Sequence, residues 1–199
     1  MKKLLLSLVS VIVIISTAAA VTYNSDPKIF IEELVQDAIN ILSDKDLNQL
    51  KKSEAIKKIA IKNVDIKGLG LYTLGDIRKT LNKEDLNNYS EIFEKYFLKS
   101  LTSRLTDYSN NKFEVLEADK KSSNTTIVKS KIAETINQPE IKIDWRVYTK
   151  DPLKPLIRDL IVEGLSLART QKEEFSSILS SNNNDINVLI SKLEEFVKN

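Results

Sequence analysis

The spacing of apolar residues changes along the chain, and the changes mark its elements. From Pro27 to Ser43, Phe30, Leu34, Ala38 and Ile41 return every three or four residues, which places them on one face of a helix. Asp26 can cap that helix and Pro27 suits its first position. A second helix is expected to start from a cap at Asp44 or Asp46 and to bury Leu47, Leu50, Ile56, Ile59 and Ala60. Lys51, Lys52, Lys57, Lys58 and Lys62 then form a solvated face, or alternatively a docking patch for an anionic surface. Asp65 to about Thr80 holds Gly68, Gly70 and Gly75 and predicts short helical turns. Asn82 opens the longest helix, over 83–108, with the stripe Leu86, Tyr89, Phe93, Tyr96/Phe97, Leu101, Leu105 and Tyr108.

Beyond that helix the period falls to two. Strands are expected over 112–117, 125–136, 140–148 and 156–162. The third is the clearest, because Ile141, Ile143, Trp145 and Val147 alternate with Lys142, Asp144, Arg146 and Tyr148. Helices over 166–181 and 185–197 follow, separated by Ser181-Asn182-Asn183-Asn184. Helices, then strands, then helices make an α+β chain. The expected architecture is one curved antiparallel or mixed sheet of about four strands packed against several helices, a shape that can enclose an apolar cavity.

The first twenty residues read differently. Lys2 and Lys3 precede an apolar run from Leu4 to Ile15, which ends in Ser16-Thr17-Ala18-Ala19-Ala20. Such a run rises only about 18 Å as a helix, against a hydrocarbon layer of ~30 Å. These are the parts of a secretory signal, expected to be removed after Ala20, with an uncleaved anchor as the competing reading. The expected organisation is a signal peptide over 1–20 and a single domain over 21–199. The full chain carries 30 Lys and Arg against 28 Asp and Glu, so losing Lys2 and Lys3 leaves no net charge. A neutral domain argues against nucleic acid as a partner.

Absent residues narrow the chemistry further. The chain has no Cys and no His, which removes disulfides, the usual zinc sites, thiol nucleophiles and Ser-His-Asp relays. Its four glycines do not assemble a phosphate-cradling loop. Catalysis would have to rest on groups such as Asp144, Asp159 or Glu163 acting as a general base. The stretch DLIVEGLSLARTQKEEF, residues 159–175, passes from strand through Glu163-Gly164 into a helix that Ser166 can cap. Gly164 is expected there because a Cβ would crowd neighbouring backbone where the chain leaves the sheet. Asp159 and Glu163 would fix the loop, or a cation on the rim, by hydrogen bonds.

Trp145 and Val147, then Asp159, Glu163, Gly164 and Ser166, then Gln171 and Phe175, follow in an order that resembles the MlaC family of periplasmic phospholipid-binding proteins, also called toluene-tolerance proteins. The similarity runs over about residues 26–197. Two features depart from the pattern. Arg158 stands where an aromatic residue is frequent, and Pro152 and Pro155 interrupt the link from Tyr148 to Leu156. The resemblance implies a phospholipid carrier in the periplasm, reached by Sec-type export, that is not an enzyme and uses no cofactor or metal. Its ligand would be a phospholipid with its tails in an apolar cavity. Its partners would be an inner-membrane MCE-domain ABC transporter complex and an outer-membrane lipoprotein-porin complex, and its role the maintenance of outer-membrane asymmetry. On this reading the lipid-binding residues are Phe93, Phe97, Leu101 and Leu105 from the long helix. Ile143, Trp145, Val147, Leu160, Val162 and Leu165 come from the sheet and its exit. The alternatives are an enzyme on a similar α+β fold using Asp159 and Glu163 as acid–base groups, and a ligand-free interaction module of the envelope.

Overall fold

In the computed structural model the described residues are 22–105, 112–136 and 139–199. The signal-peptide reading of 1–20 and the position of Tyr108 therefore lie outside them. Helix α1 (Pro27–Ser43) starts as its sequence suggests: the Asp26 carboxylate accepts from the backbone N–H groups of Lys28 and Ile29, with Pro27 in the first turn. Helix α2 (Gln49–Asn63) departs from expectation. Its cap is Asn48, not Asp44 or Asp46, and the helix buries Ile56 and Ala60 while Leu50 is left 68% exposed. The Asp44 carboxylate is instead used within the preceding loop, accepting from the backbone N–H of Asp46. Leu50 lies about 120° round the helix from Ile56, outside the buried arc.

Helix α3 (Ile66–Thr73) and a 3₁₀ turn (Gly75–Lys79) occupy the expected glycine-rich region. Helix α4 (Lys83–Leu105) is the long one, and Asn82 caps it by accepting from the Asp85 N–H. Its aromatic stripe is core. Tyr89 is fully buried and shares a 2.7 Å hydrogen bond with Thr73, and burial holds its phenol well above the ordinary tyrosine range. Phe93 stacks on Tyr89 and meets Phe175 edge-on. Gly70 is what lets α3 come this close, because a Cβ there would stand 2.9 Å from the Phe93 ring.

The strands are β1 (Phe113–Ser122), β2 (Thr125–Ile132), β3 (Ile141–Tyr148), β4 (Leu156–Val162) and the two-residue β5 (Leu165–Ser166). Each pairs antiparallel with the next, in the order β1-β2-β3-β4-β5. β2 is shorter than the sequence pattern suggested and β1 longer, because the Ser122–Thr125 hairpin extends the pairing of β1 to Ser122, past a bulge at Lys121. Helices α5 (Leu167–Ser180) and α6 (Ile186–Lys198) follow the sheet.

Apolar side chains gather in two clusters. One lies among the helices and includes Leu69, Tyr89, Phe93, Phe175, Leu189 and Leu193. The other joins Phe30, Ile31 and Leu34 of α1 to Val128, Val147 and Ile157 of the sheet. Val64, at the end of α2, packs against both, and its backbone bridges to Ile157. Phe30 is 1% exposed, so Phe30→Ala removes a full aromatic side chain from the joint between helix and sheet. The expected loss is about 3–5 kcal/mol, read as a lower urea midpoint with unchanged m-value.

Candidate functional site

The cross-strand register decides which side chains share a face. Ile143 stands opposite Val162, Trp145 opposite Leu160, and, past a bulge, Val147 opposite Ile157. On the other side of β3, Ser130 faces Ile143, Val128 faces Trp145 and Thr126 faces Val147. These residues therefore line one surface of the sheet. Asp144, Arg146, Asp159 and Ile161 line the opposite one.

Coverage of the apolar surface is uneven. Helix α1 packs against β1 and β2, and Val147 and Ile157 are buried beneath the first cluster of side chains it brings. Towards the other end of β3 and β4, Ile141, Ile143, Trp145, Leu160 and Val162 are only half-buried. Apolar side chains that stay half open in a row along two paired strands form a candidate apolar cleft. Trp145 is fixed within it: its indole N–H donates to Ser130 Oγ at 2.9 Å, and that hydroxyl donates to the Ile143 carbonyl at 2.8 Å. The polar edge of the indole is thereby satisfied, and its ring meets Phe113 edge-on.

The expected lipid-binding residues fall into two groups. Ile143, Trp145, Val147, Leu160 and Val162 come together on the sheet. Phe93, Phe97 and Leu101 belong to the helical cluster, where Phe93 and Phe97 stack at 6.4 Å. The side chain of Leu105 lies outside the described residues. Leu165 pairs with Val162 through its backbone and is 69% exposed. Two open concavities among the described residues lie elsewhere. One, of about 240 Å³, is lined by Ile61, Val64, Ile66 and Leu156 with lysines at its edge; the other, of about 500 Å³, lies at Tyr148, Pro152 and Leu156.

The Glu163-Gly164 junction is a two-residue hairpin turn. Glu163 has φ 49° and Gly164 φ 81°, the paired positive values of a type I′ turn between β4 and β5. The reason for Gly164 is this backbone conformation. A Cβ at Gly164 would meet nothing within 4 Å, so crowding, the expected cause, is not what selects it. Glu163 closes the turn onto β3: its N–H donates to the Lys142 carbonyl, and its carboxylate accepts from the Lys142 N–H at 2.5 Å.

Asp159, 7% exposed, acts as a clasp between sheet and helix. It accepts from the Ser166 hydroxyl at 2.6 Å and from the Ala168 N–H at 3.0 Å, while Ser166 itself caps α5 by accepting from the Arg169 N–H. Arg146 adds a cation 3.8 Å away. The opening of α5 is therefore tied to β4 through one carboxylate, as the sequence suggested for this loop. A second link had no local signal. Arg158 lies over the Tyr148 ring, 3.2 Å from its centroid, and donates to Asp65 at 2.6 Å, joining β4 to the N-terminus of α3. Here the departure from the family pattern acquires a structural role.

Known proteins give a consistent picture. A family model described as MlaC protein matches residues 32–195. No curated protein matches the chain. Among solved structures, a phospholipid-binding protein from Ralstonia solanacearum, solved in complex with a phospholipid, is similar with a TM-score of 0.71 at 19% identity. The match covers 84% of this chain and 94% of that one.

Asp159→Ala leaves the Ala168 N–H buried without a partner. The expected cost is about 1–3 kcal/mol of stability, measured by urea unfolding. An unchanged midpoint would show that the clasp does not hold α5 to the sheet.

Proposed function

This chain belongs to the MlaC family, and we propose that it is a phospholipid carrier of the periplasm. On this reading the acyl tails lie against the half-open apolar face of β3 and β4. The observation that carries the proposal is the apolar row Ile141, Ile143, Trp145, Leu160 and Val162, which stays half-buried although Trp145 and Leu160 pack against the edge of the cluster that α1 builds. The similar Ralstonia solanacearum protein, which binds a phospholipid, supports the same ligand class here.

The physical demand on such a carrier is simple. Each buried CH₂ is worth about 0.8 kcal/mol, so a sixteen-carbon tail represents on the order of 12 kcal/mol. Two such tails cross water at a useful rate only when shielded. A sheet whose apolar face is incompletely covered offers that shield without any reactive group, and Phe97 and Leu101 on α4 are the proposed opposing wall. Two of the three carboxylates named for acid–base work are engaged otherwise: Asp159 by Ser166 and Ala168, and Glu163 by Lys142. This supports binding and transport over acid–base catalysis, with phospholipid as ligand and no cofactor.

We further propose that residues 1–20 direct Sec-type export and leave a single domain over 21–199. Lipid would pass between an outer-membrane lipoprotein-porin complex and an inner-membrane MCE-domain ABC transporter complex, sustaining outer-membrane asymmetry. Among the described residues no helix is long and apolar enough to cross a membrane.

The test is native against denaturing mass spectrometry of protein purified without detergent from a bacterium. The expected result is near-stoichiometric phospholipid, released on unfolding. Leu160→Asn and Ile143→Thr are expected to lower its occupancy several-fold while the protein remains folded. A folded protein that carries no lipid and takes none from vesicles would overturn the proposal.

A further inference from the structure

Helix α2 presents a surface for which the lipid cleft has no use. At 3.6 residues per turn, Leu50, Ile61, Glu54, Lys58, Lys51 and Lys62 share an arc of about 120°. All six are exposed, and the two apolar members are far from incidental: Leu50 is 68% and Ile61 51% exposed. The opposite side holds Ile56 and Ala60 in the interior. Two protruding aliphatic side chains therefore stand beside a row of lysines on a helix whose other face is anchored.

The charge is equally one-sided. Residues 49–67 contain six lysines and two acids, and one of those acids, Asp65, is held by Arg158. On the sheet several lysines are matched. Lys129 pairs with Glu117, Lys131 with Glu114 and Glu140, and Lys121 with Asp119. Among the described residues, Lys51, Lys57, Lys58, Lys62 and Lys67 make no ion pair, and Lys52 is spent on the Leu42 carbonyl at 2.6 Å. Lys62, Lys67 and Lys154 continue the basic face around the concavity at Ile61, whose lining carries two acids, Glu94 and the Arg158-paired Asp65. In a chain otherwise near charge balance, residues 49–67 carry four more cations than anions.

We propose that this face of α2 docks the protein on an anionic phospholipid bilayer, with Leu50 and Ile61 entering the headgroup region and the lysines above them reaching lipid phosphates. Basic side chains beside exposed aliphatic ones on a helix lying flat are the requirements of interfacial binding. Lysine suits it because the methylene stem can lie along apolar surface while the ammonium stays hydrated. A second copy of the chain would set lysines against lysines. An acidic protein partner would satisfy the charge but gives no account of two aliphatic side chains rising from a convex helix. The inference stands independently of whether the β3–β4 cleft holds lipid.

The experiment is flotation of the protein, recovered from cells expressing the full chain, with vesicles of phosphatidylcholine alone or mixed with phosphatidylglycerol. The expected result is co-flotation only with the anionic vesicles, weakened by high salt. The triple variant Lys51→Glu/Lys58→Glu/Lys62→Glu is expected to lose roughly tenfold or more in vesicle affinity, and Leu50→Ser/Ile61→Ser several-fold. Lys129→Glu/Lys131→Glu on the sheet should bind as the parent does. These positions are exposed or half-buried, so far-UV circular dichroism should be unchanged. Bound-lipid content by mass spectrometry should also stay at the parent's level. Three results would each overturn the docking role: no flotation with either vesicle, equal loss in the sheet variant, or loss of flotation together with loss of bound lipid.

Discussion

The structure turns on how much of one sheet face a single helix can cover. Helix α1 brings Phe30, Ile31 and Leu34 to β1 and β2, and the end of α2 brings Val64 over Ile157. Trp145 and Leu160 pack against the edge of this cluster, and with Ile141, Ile143 and Val162 they form an apolar row that stays half-buried. In an ordinary interior such positions would be closed by side chains at near-crystalline density. The helices that might have closed them build a separate cluster around Tyr89, Phe93 and Phe175 instead. Two clusters share Val64, and the half-open row on β3 and β4 is the surface proposed to take lipid tails.

The polar links preserve this arrangement. Asp159 ties the start of α5 to β4, and Arg158 ties β4 to Asp65 at the head of α3. Glu163 and Gly164 turn the chain in two residues and lock it to Lys142. The same carboxylates that invite a catalytic reading thus hold α5 and the β4–β5 turn to the sheet.

Much of this could be read from the sequence. The alternation of β3 and the three-and-four spacing of α4 are local patterns with strong period, and both survive in the structure. Asp26 and Pro27 announced α1 because cap and first-turn residue are adjacent. The α2 start was not legible in the same way, because Asp44, Asp46 and Asn48 can all cap; Leu50 lies about 120° round the helix from Ile56 and falls outside the buried arc. Glu163-Gly164 hid a hairpin because Glu is an uncommon first residue for a type I′ turn. Two further links escaped entirely. Arg158 and Asp65 lie 93 positions apart, and Trp145 reaches Ser130 across a register that no single strand reveals. Separation of the helical and sheet clusters is likewise a property of packing, so Phe93 and Trp145 could both be proposed for the site without a sign that they line different bodies.

The chain's single tryptophan, Trp145, stands in the proposed cleft and offers the most direct measurement. Protein loaded with phospholipid brominated along its acyl chains should show strongly quenched indole fluorescence, while the same lipid unbrominated should leave it bright and shielded from a water-soluble quencher. Equal fluorescence with both lipids, at proven occupancy, would place the tails away from β3 and β4 and contradict the account.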